Sequence, residues 1–144
     1  MALGAATVSI WPLPDVAHWD RDPAVYWPEP ELTYQPDPRE GPVLVTVRYV
    51  VPKEHEEQFL EAMELVRASR LRTGATSCAL YRDGADPKVF VLVGLYPTWE
   101  EHLRQHTGRL TGADQALYET ASALATGPPE ARHLFLPRPR SGTS

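Results

Sequence analysis

One cysteine, Cys78, is all the thiol chemistry this 144-residue chain possesses. An internal disulfide is excluded, and so is a metal centre built on a cysteine cluster. Cys78 lies in a strand-like segment and reads as a small buried hydrophobe. Basic runs are missing too. The formal net charge is -5 and acidic and basic residues are interspersed, which argues against a nucleic-acid partner. No apolar run is long enough to span a bilayer. "MALGAATVSIWPLP", the apolar start, is too short, ends in prolines and lacks the basic region of a signal peptide. A cytoplasmic protein is expected. There is no useful internal repeat, Ser-His-Asp order, glycine-rich phosphate loop or dinucleotide fingerprint.

Proline is plentiful, and its distribution divides the chain. Of 15 prolines, eight (Pro12, Pro14, Pro23, Pro28, Pro30, Pro36, Pro38 and Pro42) precede the first periodic segment. Residues 1–42 are therefore neither regular helix nor interior strand. They nonetheless hold Trp11, Trp19, Trp27 and Tyr26, aromatics that a disordered tail rarely carries. This reads as an ordered, proline-rich N-terminal arm packed on the domain or on a partner subunit.

Residues 43–137 form one regular domain, and 138–144 a flexible tail. "VLVTVRYVV" (43–51) alternates as a strand. "KEHEEQFLEAMELVRASRLR" follows as a helix with Phe59, Ala62, Met63 and Val66 in an apolar stripe, acidic at its start and basic at its end. Residues 75–84 and 88–96 read as a hairpin, turning at "RDGADP". Thr98 and Glu101 form a T-x-x-E signature opening a second helix. A break near Gly108–Gly112 leads to a further helical piece, and 131–137 to a last strand. This order predicts an α+β, ferredoxin-like split βαβ fold with helices on one face of the sheet. Leu44, Leu92 and Phe135 are assigned to the helix-free face, which a second copy would bury; a homodimer is expected.

The segments "PVLVTVRYVVP", "ALYRDGADPKVFV" and "TWEEHLRQH", with "YWPEPEL" in the arm, resemble the antibiotic-biosynthesis-monooxygenase-like family of dimeric α+β barrels. The likeness is greatest to the version attached behind some bacterial major-facilitator transporters. It implies a ligand pocket between sheet and helices, walled by the helix after the third strand. Members include cofactor-independent oxygenases of aromatic polyketides, haem degraders and proteins with no known reaction. The haem degraders pair a tryptophan near the end of the third strand with a histidine on the helix. Here Tyr96 takes roughly that place and Trp99 is displaced into the helix, so no cofactor is expected and haem is disfavoured. The apolar start resembles the last turns of a transporter's final membrane helix. A membrane partner is implied only through fusion to, or descent from, such a transporter.

At ideal pitch Trp99, His102, Leu103, His106 and Leu110 share one stripe, with Glu100, Glu101, Arg104 and Gln105 outside it. His102 and His106 are the candidate catalytic residues, one of them serving as base toward a substrate phenol; satisfied core histidines are the plainer account. A metal is not expected, since the pair lacks a third ligand. His55 and His133 read as structural. Trp99, Tyr96, Tyr81, Arg48 and Arg82 are candidate substrate-binding residues, an aromatic wall with phenol donors and an arginine for an anion. Two functions remain open. One is an accessory domain that binds an aromatic or polyketide-like metabolite for secondary metabolism or transport. The other is a cofactor-independent monooxygenase acting on such a compound.

Overall fold

Alternation along β1 (Val43–Val50) turns Val43, Val45, Val47 and Tyr49 to one side, where all four are buried. A computed structural model describes residues 32–138 of the chain. In it β1 lies inside a four-stranded antiparallel sheet ordered β2-β3-β1-β4, with β2 (Ser77–Arg82), β3 (Val89–Tyr96) and β4 (Glu130–Phe135). Val47 stands opposite Leu92, Val45 between Gly94 and His133, and Val43 between Tyr96 and Phe135. Cross-strand neighbours share a face, so all of these side chains look toward the helices. This corrects the assignment of Leu92 and Phe135 to the helix-free side. That side instead carries Leu44, Thr46, Arg48, Val91, Val93, Leu95 and Leu134.

A 3₁₀ turn, Lys53–His55, leads into α1 (Glu56–Thr73), which buries Phe59, Met63, Val66, Ser69, Arg70 and Thr73. Their spacing of four, three, three, one and three residues keeps one stripe against the sheet. After β3 come α2 (Trp99–Arg104), a π-helical turn Gln105–Arg109, and α3 (Gly112–Ala123). The Thr98 hydroxyl accepts from the Glu101 N–H at 3.2 Å. The Glu101 carboxylate does not reach back; it pairs with Arg109 at 2.6 Å and Arg104 at 3.0 Å. The complete capping box is at α3, where Thr111 and Asp114 bond reciprocally.

Two core clusters result. Phe59, Met63, Val66, Phe90, Leu92 and Tyr118 anchor one, and Val43, Val45, Tyr96 and Trp99 the other. The described part of the arm closes the second. Leu32 packs on it, and Tyr34 meets Phe135 with ring centroids 5.4 Å apart. The arm also caps α2, because Trp99 N–H donates to the Glu40 carbonyl at 2.8 Å and Glu100 N–H to the Pro38 carbonyl at 2.9 Å. These donors have no partner inside a helix, so the arm completes the terminus. Trp11, Trp19, Trp27 and Tyr26, on which the arm was read as ordered, lie outside the described residues, as does the tail beyond Arg138. Among the described residues no helix is long and apolar enough to cross a membrane.

Gly41 sits where the arm touches the β3–α2 corner, and a Cβ there would stand 1.9 Å from the Pro97 carbonyl oxygen. Gly41→Ala is therefore expected to destabilise the fold by about 1–3 kcal/mol in urea unfolding. At Gly84 a Cβ would meet nothing within 4 Å, and Gly84→Ala should stay within about 0.5 kcal/mol of the parent.

Candidate functional site

Between the two clusters lies a band of buried polar side chains contributed by α1, β3, β4 and α2. His102, on the inner face of α2, is fully buried. Its Nε2 is 3.0 Å from His133 Nε2 on β4 and 3.2 Å from His106 Nε2 one turn on. Which ring donates depends on the tautomers, and the one lone pair or one proton of His102 Nε2 is shared between the two neighbours. The Nδ1 atoms of His102 and His106 are buried without a partner. Trp99 and Tyr96 wall this group, their rings 5.5 Å and 4.6 Å from that of His102.

Burial, then the neighbouring imidazoles and Arg70, push His102 down to about 2. Burial, Arg70 and His133 push His106 down to about 4. Burial and Arg70 lower His133 as well. All three are neutral at pH 7. A neutral imidazole of such low basicity is a weak acceptor for the proton of a phenol near pKa ~10.

Arg70 is the charge at the centre. It projects from α1 and is 3% exposed. Its Nη1 donates to the Tyr96 hydroxyl at 3.2 Å and to Gln105 Oε1 at 3.5 Å. Its guanidinium carbon stands 5.0 Å from the centre of the Tyr118 ring. The Tyr96 hydroxyl donates to Gln105 Oε1 at 2.6 Å, and Gln105 Nε2 donates to Thr73 Oγ1 at 2.6 Å. Among the described residues no carboxylate pairs with Arg70, and its Nε and Nη2 have no acceptor. The nearby buried acid, Asp114, is engaged by Ser69, Thr111 and Arg72. Burial raises the Asp114 pKa, but the bonds from Thr111 and Ser69 and the Arg72 charge outweigh this and hold it below its ordinary value. Beside Arg70, Val45, Val47, Cys78, Leu92 and Gly94 line an apolar crevice too narrow for water.

The structure thus brings together His102, His106, Tyr96 and Trp99. It leaves Arg48, Tyr81 and Arg82 exposed, outside the group. Arg82 instead pairs with Glu56, donates to the Pro87 carbonyl at 2.9 Å and lies over the Phe90 ring. His133, read as structural, joins the histidine group. His55 contacts the Leu124 carbonyl at 3.2 Å. Gln105, expected outside the apolar stripe, is fully buried. It stands three residues after His102, one turn along the same face, and it opens the π-helical turn. Arg70 was missed, although the stripe Phe59–Met63–Val66, continued by one step of four, lands on it. Among the described residues no group of three or more His, Cys, Asp or Glu side chains is arranged to hold a metal ion.

This is the fold of the antibiotic-biosynthesis-monooxygenase-like domains. A protein assigned as such a monooxygenase in Caulobacter crescentus matches with a TM-score of 0.59 at 19% identity, over 69% of this chain and 93% of its own. Another from Nitrosomonas europaea gives 0.57 at 18%, over 72% and 94%. A variant of SnoaB, a cofactor-independent oxygenase from Streptomyces nogalater, gives 0.56 at 16%, over 69% and 97%. No curated protein matches. By sequence, residues 1–140 match the family of transmembrane secretion effectors, and the chain belongs to that family.

Because the three imidazoles are held below the ordinary value of 6.5, the unfolded chain binds protons that the folded one refuses once pH drops below it. Their contribution is complete above 6.5 and is lost as pH falls toward about 4 for His106 and about 2 for His102. Unfolding free energy should fall between about pH 6.5 and 5 by up to about 1.4 kcal/mol per pH unit for each imidazole. His106→Gln should flatten that slope by up to one proton's worth. An unchanged slope would show that His106 titrates normally in the folded state.

Proposed function

We propose that this chain is a small-molecule-binding accessory domain of a secretion system. It takes an apolar, aromatic or polyketide-like metabolite between the sheet and the helices, on the cytoplasmic side, without a resident cofactor. The observation that carries this reading is the band of buried polar groups with unused bonding capacity beside an apolar crevice: Arg70 Nε and Nη2, and the Nδ1 atoms of His102 and His106. A purely structural core avoids such groups, since each costs about 1–3 kcal/mol unless something bonds to it. Family membership supports the link to secretion. We further propose a homodimer formed through the helix-free sheet face, where Tyr81 and Leu134 are 59% and 48% exposed beside half-buried Val91, Val93 and Leu95.

The second reading, a cofactor-independent oxygenase, is favoured by the likeness to SnoaB. In it His102 or His106 takes the phenolic proton and the substrate anion reduces dioxygen. The depressed basicity of both histidines weighs against it.

Two measurements on the wild-type protein separate the readings. Thermal unfolding with a panel of naphthols, anthrones and related aromatics should show stabilisation by at least one, about 2.7 kcal/mol at a hundredfold excess over its Kd. Dioxygen uptake with anthrone- and naphthol-type hydroquinones should not exceed the uncatalysed background. Uptake above background that is lost in a folded His102→Ala/His106→Ala variant would replace the accessory reading with the oxygenase. Stabilisation by no compound in the panel, nor by any aromatic acid, would overturn the binding reading.

A further inference from the structure

The unpaired edge of Arg70 specifies the charge of what binds. In a guanidinium the Nε–H and Nη2–H lie side by side, roughly parallel, and match the two oxygens of a carboxylate. At Arg70 the protein uses the other end: Nη1 serves Tyr96 and Gln105, while Nε and Nη2 are buried with no acceptor among the described residues. The side chain is 3% exposed and makes no ion pair among the described residues. Nor is its place accidental, for Nη1 is held by a chain running through Tyr96 and Gln105 to Thr73, and the plane stands against the Tyr118 ring. Fixing the guanidinium this firmly leaves its fork oriented in advance. The wall beside it is apolar, formed by Val45, Val47, Leu92 and Cys78.

The geometry points to a monocarboxylate as the ligand, its two oxygens on Nε and Nη2 of Arg70 and its apolar body against the sheet. This rests on the binding reading above and narrows it from an aromatic metabolite to an aromatic acid. A buried cation without a counterion is costly, and an anion that completes it contributes through charge-assisted bonds in a low-dielectric setting. A neutral phenol or quinone offers the fork one oxygen without the charge. A dianion would bring a second negative group among neutral imidazoles and apolar side chains, where Arg70 alone among the described residues offers a buried charged fork. The crevice is too tight for water as it stands, so the ligand's body must part α1 from the sheet. The ion pair is what offsets that displacement.

The test compares 1-naphthoate with 1-naphthamide, and benzoate with benzamide, by thermal unfolding and calorimetry on the full chain. Each acid should bind at least about tenfold more tightly than its amide, the scale of a charged hydrogen bond over a neutral one. Arg70→Lys keeps the charge and removes the fork; it should reduce that preference severalfold, and Arg70→Gln should abolish it. The acid–amide comparison needs no variant and stands if either substitution fails to fold. Equal affinity for acid and amide, or a preference unchanged in Arg70→Lys, would overturn the carboxylate assignment while leaving the binding reading intact. Protection by chloride or bicarbonate equal to that by naphthoate would also overturn it, in favour of an inorganic anion. Binding of neither acids nor amides, nor of any neutral aromatic, would remove both.

Discussion

The side-chain amide of Gln105 has to satisfy three partners on two elements at once. Its oxygen accepts from Tyr96 on β3 and Arg70 on α1, and its nitrogen donates to Thr73 at the end of α1. It is fully buried, so water cannot substitute for any partner that moves away. The backbone accommodates it through the π-helical turn that Gln105 opens, where Leu110 N–H reaches back to the Gln105 carbonyl at 3.0 Å. Such a turn widens a helix locally and recurs at functional sites. Here it permits the amide to face α1 while His102, one turn earlier, keeps contact with β4.

From that constraint follows the electrostatic character of the interior. Arg70 is held in place by neutral hydroxyl and amide groups, and among the described residues no acid pairs with it. Burial above all keeps the nearby imidazoles unprotonated, and Arg70 and the neighbouring imidazoles add to it. The result is one fixed positive charge surrounded by uncharged groups, a setting better suited to holding an anion than to shuttling protons. The fold's likeness to oxygenases does not decide the matter, because a fold hosts many chemistries and the site alone determines which.

Most of the architecture was legible because it depends on local rules. Alternation in β1, the hairpin turn at Asp83–Pro87, the stripe of α1 and the Thr98 cap each follow from a few adjacent residues. The site was legible in part. His102 and Trp99 declare themselves by helical spacing, but Arg70 stands among other arginines at a helix end, where a basic residue is expected for a different reason. His133 could be placed only through the pairing of β4 with β1, a register that depends on contacts about ninety residues apart in sequence. The same ignorance of register misassigned Leu92 and Phe135. Gln105 escaped because at ideal pitch it falls beside His102, just outside the apolar stripe.

The arm that closes α2 has a mechanical meaning. Its carbonyls at Pro38 and Glu40 hold the first two N–H groups of the helix that carries Trp99 and His102, and Gly41 passes so near Pro97 that a Cβ there would clash with its carbonyl. Displacing the arm at Pro38 or Glu40 would therefore uncap the helix that carries Trp99 and His102.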